Sequence, residues 1–285
     1  MEELPRMFST MIFGDQLPFA SLPLLGVCLV ISAVGFRRLV HFISIGYAFS
    51  IGAMALYSLV PAVLARSPLS IAAVALMLIY GLRLGIYLTK RDSNETYRRT
   101  LSEDQDRDKP VALGVKFAIW ITVSILYVVM LMPLTNRVAR QAAGAIDPAP
   151  WLSWIGVATM TLGIAIEAVA DRQKNQTKKR EPKRFCDRGL YSIVRYPNYF
   201  GELLVWTGTL ITGASLLGNW LAWGLSAVGY VSIFLIMKGS ARRLELKQAE
   251  RYGGDPAFQT YVMQVPILFP FVPIYSLKNA KIYLG

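Results

Sequence analysis

The chain has 285 residues, 30 Lys and Arg against 18 Asp and Glu, a formal net charge of +12 and 54% apolar residues. That apolar share and a positive mean hydropathy exceed what a soluble domain carries, and they make this an integral membrane protein. The charge invites nucleic acid as a partner, but the basic residues follow the loops between apolar stretches rather than alternating with aromatics on a soluble platform, which argues against it.

In chain order, the first residues are too broken for a span, and Glu2 and Glu3 stand where a cleavable leader carries basic residues. Apolar stretches follow at Leu17–Phe36, Leu39–Ala65, Pro68–Leu88, Val111–Thr135, Trp151–Ala170, Tyr199–Leu217 and Asn219–Met237. Each is near the ~20 residues that cross hydrocarbon as a helix. The expected fold is therefore an all-α integral membrane protein of about seven transmembrane helices, one domain over residues 1–285. Val262–Pro273, interrupted by Pro266, Pro270 and Pro273, is expected at the membrane interface.

Orientation follows from the basic residues, which stay cytoplasmic on insertion. With seven spans, one face collects Arg37-Arg38, the loop from Lys90 to Lys109, the loop from Arg172 to Arg195 and everything beyond Met237, which together hold 24 of the 30 Lys and Arg. The other face holds Arg6, Arg66, Arg137 and Arg140. The N-terminus is expected outside and the C-terminus in the cytoplasm. The loop after the fifth stretch, with Arg172, Lys174, Lys178, Lys179, Arg180, Lys183, Arg184 and Arg188, is denser than topology needs. It suits anionic lipid headgroups or a polyanionic cofactor.

Metal chemistry has little to work with, since the lone histidine, His41, has no second His, Cys pair or acid cluster beside it in sequence. Cys28 and Cys186 fall on different parts of the topology, and no disulfide is expected.

Charges inside spans cost about 2.5–3.5 kcal/mol each on insertion scales and usually face a partner or a watery cavity. In the third stretch Tyr80, Arg83, Tyr87 and Arg91 recur every three or four residues, on one stripe. Glu167 and Asp171 share a face of the fifth helix, and Arg195, Asn198, Tyr199 and Glu202 gather at the start of the sixth. Helix glue explains any one of them, with Arg83 pairing Glu167 or Glu202; their convergence on the cytoplasmic half favours a pocket. The free N–H groups and positive dipole end at the sixth helix suit an anionic ligand there.

The order E-x-x-x-D-x-Q-K (Glu167, Asp171, Gln173, Lys174), G-L-Y (Gly189–Tyr191), R-Y-P-N-Y-F-G-E (Arg195–Glu202), G-S (Gly239-Ser240), E-L-K-Q-A-E-R-Y (Glu245–Tyr252) and a terminal V-P-I-L-F-P-F resembles the steroid 5-alpha-reductase family, its bacterial members above all. The resemblance covers about residues 79–271 and is strongest after Glu167.

It implies a reductase of the bacterial inner membrane that takes NADPH from the cytoplasm and reduces the C=C bond of a conjugated enone, a 3-oxo-4-ene steroid or similar apolar lipid. The half of the chain from about 151 to 271 would hold the cofactor. Asn198 and Glu202 match positions near the nicotinamide, Glu167 and Asp171 a polar pair contacting the cofactor, and Lys178 and Arg184 basic positions that hold phosphates. Arg83, Arg91, Lys174, Arg195, Tyr199 and Glu245 join them as cofactor-side candidates. Tyr80 matches a tyrosine that hydrogen-bonds the substrate ketone; with Glu202 it is the candidate catalytic pair. Hydride delivery to the β-carbon builds negative charge on the carbonyl oxygen, which a tyrosine, protonated at neutral pH, stabilises or protonates. No G-x-G-x-x-G follows a strand, so a Rossmann domain is not the cofactor's seat.

The chain departs from the pattern at Tyr196, where R-H-P-N-Y would have His, and at Ala241 and Glu245. His41–Ala65 also lacks the acid that supports the ketone-binding tyrosine in animal relatives, leaving Tyr47, Tyr57 or His41 for that place. Two alternatives remain: a membrane methyltransferase of the isoprenylcysteine carboxyl type, which shares the R-H-P-x-Y-x-G segment, and a non-enzymatic transporter or lipid-binding scaffold.

Overall fold

Proline and glycine punctuation sets most of the helix ends. In a computed structural model that describes residues 21–93 and 111–284, four helices start on proline, whose fixed φ suits the first helical position and whose missing N–H has no partner to lose there. The α-helices are α1 (Ser21–Ser32), α2 (Ile45–Leu64), α3 (Pro68–Asp92), α4 (Leu113–Ala142), α5 (Pro150–Arg180), α6 (Pro197–Ala214), α7 (Trp220–Tyr252) and α8 (Pro256–Gln264). Side chains cap three of them: Ser67 Oγ accepts from Ser70 N, Asn219 Oδ1 from Ala222 N and Asp255 Oδ1 from Ala257 N.

The described residues are helical throughout, with no strand among them, as expected. Five helical segments are long and apolar enough to cross a membrane: Leu39–Leu64, Pro68–Asp92, Leu113–Ala142, Pro150–Arg180 and Trp220–Tyr252. The other two expected spans are helical too. Ser21–Phe36 is a shorter apolar helix, and α6, 18 residues long, carries Asn198, Glu202 and three threonines. Helices α5 and α7, of 31 and 33 residues, exceed the ~20 that hydrocarbon requires, so their polar C-terminal ends, Lys178–Arg180 in α5 and the stretch from Arg242 to Arg251 in α7, extend past it. Glu2, Glu3, residues 17–20 of the first stretch and most of the Lys90–Lys109 loop lie outside the described residues.

The chain divides into two compact units, Met1–Trp154 with Leu210–Gly229, and Ile155–Thr209 with Tyr230–Gly285. In the first, α2 and α3 touch backbone to backbone: a Cβ on Gly81 would lie 2.5 Å from Gly52 N and 2.8 Å from Ala48 O. Small residues allow that approach, which helix pairs in lipid use because burial of apolar surface gives them nothing extra. Helix α1 packs on α2 and α4, with Ser32 Oγ 2.9 Å from Ser124 Oγ and Trp120 Nε1 donating to Leu29 O. Trp151, Trp154, Trp220 and Trp223 are exposed where α5 and α7 begin, the place of an interfacial aromatic belt.

In the second unit, Phe185, Tyr252, Phe258 and Tyr261 form one aromatic cluster, ring centroids 5.1–6.5 Å apart. It seats α8 against the loop that follows α5. Val262–Pro273, expected at the interface, ends α8 and then turns back, Ile267 N donating to Ile274 O, with Phe271 at the turn 92% exposed.

Candidate functional site

Helices α5 and α6 cross through glycine. A Cβ on Gly201 would lie 2.7 Å from Gly163 O and 2.9 Å from Glu167 N, so Glu167 is pressed against the residue that precedes Glu202. Glu167, Asp171 and Glu202 are only 3%, 7% and 7% exposed. A buried carboxylate is tolerated only where hydrogen bonds or opposite charge compensate it, and three in one helix pair make a polar site rather than packing. Asn198 and Tyr199, both half-buried, occupy the first turn of α6; the free N–H groups expected there are largely taken up, since Pro197 has none and Tyr199 N and Phe200 N both donate to Tyr196 O, at 3.1 and 3.2 Å.

Two residues beyond Asp171, Gln173 turns toward the following loop: its Oε1 accepts from Leu190 N, and its amide fills the space over Gly189, whose φ of +65° and missing Cβ both require glycine. This joins the D-x-Q and G-L-Y motifs physically. Gln173 was legible as a motif member, but nothing in the sequence tied it to the loop. Around it lies a cleft of about 210 Å³ lined by Gln173, Thr177, Arg180, Arg184, Asp187 and Arg188, among others.

The basic stretch expected as a loop from Arg172 is helical as far as Arg180, the end of α5, and its residues divide by role. Lys178 faces inward, its Nζ donating to Arg184 O at 2.5 Å and to Tyr252 Oη at 2.8 Å; it pins the loop. Arg184 pairs with Asp187 at 2.7 Å and lies 3.7 Å from Glu181, and the hydrogen bond and charge of Asp187 raise its pKa. Arg180 and Arg188 are exposed on the cleft and Lys174 is half-buried.

Arg195 and Glu245 form a buried pair, 3.4 Å apart. Arg195 also donates to Tyr275 O, and Glu245 Oε2 accepts from Leu277 N at 2.8 Å, so the pair ties the segment before α6 to α7 and the terminal tail. Next to it, Tyr196 donates to Gln248 Oε1 at 3.1 Å. Burial pushes the Tyr196 phenol up, so it stays neutral where a histidine would titrate.

Tyr80, Arg83 and Arg91 belong to the first unit. Tyr80 is fully buried with its hydroxyl oxygen 3.0 Å from that of Tyr47. Arg83 is half-buried one turn on, and Arg91 is exposed at the end of α3, its guanidinium 6.0 Å from the Tyr87 ring. Of Tyr47, Tyr57 and His41, Tyr47 meets Tyr80, whereas Tyr57 is 41% exposed and His41 Nε2 lies 3.4 Å from Asp92.

A polar network in the first unit was not legible in the sequence, which put Arg137 in a loop. Arg137 is fully buried: Nη2 meets Asp147 at 2.8 Å, Nη1 donates to Ser153 Oγ and Thr212 O, and Nε donates to Ser70 Oγ. Ser67 and Ser70 in turn donate to Gln141 Oε1.

Long apolar helices with buried polar groups define a multi-pass helical membrane protein. The chain belongs to a family described as proteins of unknown function, DUF1295, which matches residues 30–265. No curated protein and no solved structure matches it.

Proposed function

We propose that the chain is an NADPH-dependent reductase of the C=C bond of a conjugated enone, a 3-oxo-4-ene steroid or similar apolar lipid, in the manner of the steroid 5-alpha-reductases its motifs resemble. The observation that carries the reading is the burial of Glu167, Asp171 and Glu202 where α5 and α6 cross, with α5 running on into a cleft that Arg180, Arg184 and Arg188 line together with Glu181 and Asp187.

The donor chemistry fits NADPH. Carboxylates accept hydrogen bonds from a carboxamide and from ribose hydroxyls, and arginines pair with phosphates. At about 210 Å³ the cleft is smaller than the ~300 Å³ at the low end of ligand pockets, so it takes a phosphate-bearing end and not a whole dinucleotide. Arg180, Arg184 and Arg188 would hold that end; Lys178 acts through the loop it pins. Asn198 and Glu202 would orient the carboxamide, with Asp171 and Glu167 behind them. Bound there, NADPH supplies the hydride. Tyr80 would donate its hydroxyl to the ketone oxygen as negative charge builds on it. The positive-inside count supports N-terminus outside and a cytoplasmic, cofactor-facing loop, as in a bacterial inner membrane.

The test is thermal unfolding of the detergent-solubilised protein with NADPH, NADH or S-adenosylmethionine. Selective stabilisation by NADPH is expected, about 2.7 kcal/mol at a hundredfold excess over Kd. Stabilisation by S-adenosylmethionine alone would replace this reading with a methyltransferase, and a response to none of them with a scaffold.

A further inference from the structure

Gly239 and the segment that follows α8 take no part in the proposed reaction, and their contacts set a depth in the membrane. Residues 220–237 of α7 carry no charge, so hydrocarbon surrounds that part of the helix. Glu245, buried on Arg195, lies about 16 Å farther along α7 than Phe234. Both arms of the hairpin after α8 start from that pair: Arg195 N donates to Pro266 O at 2.9 Å, and the Arg195 side chain donates to Tyr275 O. Between these anchors the chain drops toward the span. Phe269 reaches the rings of Phe234 and Phe200, with centroids 6.1 and 6.3 Å away. Phe271 makes the turn with a φ of +63°, a region that a bulky side chain rarely takes, and is 92% exposed.

A second descent follows. Leu277 N donates to Glu245 Oε2 at 2.8 Å, Arg242 Nε to Lys278 O at 3.2 Å and Leu284 N to Leu235 O at 3.2 Å, so residues 277–284 run back along α7 to the depth of Phe234. Gly239 makes room for them: a Cβ there would overlap Leu284 O and come 3.2 Å from the Tyr283 ring. We propose that residues 267–284 form a re-entrant segment, with Phe271 and Ile282 in the hydrocarbon of the leaflet on the basic side of α7 and Lys278 and Lys281 on anionic headgroups. In water the exposed apolar run at 271–275 would be a patch without a partner; at the depth of Phe234 it meets acyl chains. Ile282, 71% exposed, meets them from the second descent. Lys278 lies beside Arg242, about 7 Å beyond Met237, which is within the headgroup layer. There each lysine, exposed on the strap, is attracted to anionic lipid.

The experiment places single copies of the full chain in nanodiscs of phosphatidylcholine and phosphatidylglycerol. In a Cys28→Ala, Cys186→Ala background, Phe271→Cys and Ile282→Cys each carry a nitrobenzoxadiazole dye, with Gly254→Cys, exposed beyond the end of α7, as the control in water. The dye at 271 and at 282 should emit to the blue of the control and be quenched by lipids that carry a nitroxide on the acyl chain, whereas a water-soluble nitroxide should quench only the control. Phosphatidylglycerol bearing the nitroxide should quench the dye at 282 about fivefold better than phosphatidylcholine does, the effect of one lysine near a charged surface, and Lys278→Gln with Lys281→Gln should remove the difference. If a labelled variant does not fold, hydrogen exchange of the wild type in the same discs replaces it, and slow exchange at the hairpin tip is expected. Quenching at 271 and 282 by the aqueous nitroxide, or fast exchange at the tip, overturns the re-entrant segment. Shielding seen only with two copies in a disc assigns the tip to a second chain and overturns it as well. Equal quenching by the two lipids overturns the role given to the lysines.

Discussion

Arg137 and Asp147 lie 2.8 Å apart with side chains 0% and 7% exposed, so a guanidinium at the end of α4 is neutralised by the loop that leads into α5. Removing one partner leaves the other charge buried and uncompensated, which costs about 3–5 kcal/mol. Arg137→Met should therefore lower the unfolding temperature sharply, and Arg137→Met with Asp147→Leu should recover much of the loss. Thermal unfolding in detergent of Arg137→Met, Asp147→Leu and the double variant measures this; a loss in the double equal to the sum of the two single losses would show that the pair is not coupled.

The same carboxylate makes an acid-sensitive element. Burial alone would raise the pKa of Asp147, but the hydrogen bonds from Ala149 N and Ser153 Oγ and the Arg137 guanidinium outweigh it and hold the group at about 2. Because the folded-state value lies below the unfolded one of about 3.9, the stabilisation is complete above pH 4 and is lost as pH falls from about 4 toward 2. Asp147→Asn should be less stable at neutral pH and should flatten the stability profile over that window. A profile parallel to the wild type would assign the acid sensitivity elsewhere.

Gly201 is the tightest point beside the buried acids. A methyl there meets the Gly163 carbonyl and the Glu167 backbone, so Gly201→Ala should cost about 1–3 kcal/mol through overpacking and displace Glu167. Gly224, inside α7 with nothing near its Cβ position, is the control: Gly224→Ala should be neutral or stabilising by about 0.5–1 kcal/mol. Similar unfolding temperatures for the two variants would remove the crossing from the account.

For the proposed chemistry, Tyr80→Phe and Glu202→Gln should each lower enone-dependent NADPH oxidation by 10²-fold or more, on the scale of losing a transition-state donor, while folded protein persists by size-exclusion chromatography. Glu202→Gln should also weaken NADPH binding, and Tyr80→Phe should not. Wild-type turnover in both variants would remove these roles.

Much of the helical framework was legible from hydropathy, because a helix in lipid satisfies its backbone hydrogen bonds within one segment; the short helix α8, which starts on Pro256, was not. The grouping of Glu167, Asp171 and Glu202 was legible as well: four-residue spacing fixes a shared face, and R-Y-P-N-Y-F-G-E marks the start of α6. The inward turn of Lys178 was hidden, since its partners, Arg184 O and Tyr252 Oη, come from a loop and from a helix 74 residues away. Tyr47 was one of three residues open for Tyr80, and only the Gly52–Gly81 approach separated it from Tyr57 and His41.

The sequence by itself determined the membrane class, the order of the helices and the charge asymmetry of the loops, all properties that each segment carries alone. Only the tertiary structure decided that Arg137 is buried on Asp147, that Tyr47 meets Tyr80 and that Arg195 and Glu245 hold the terminal tail. Those pairings depend on the depth and rotation at which helices meet, and glycine contacts between distant segments set both.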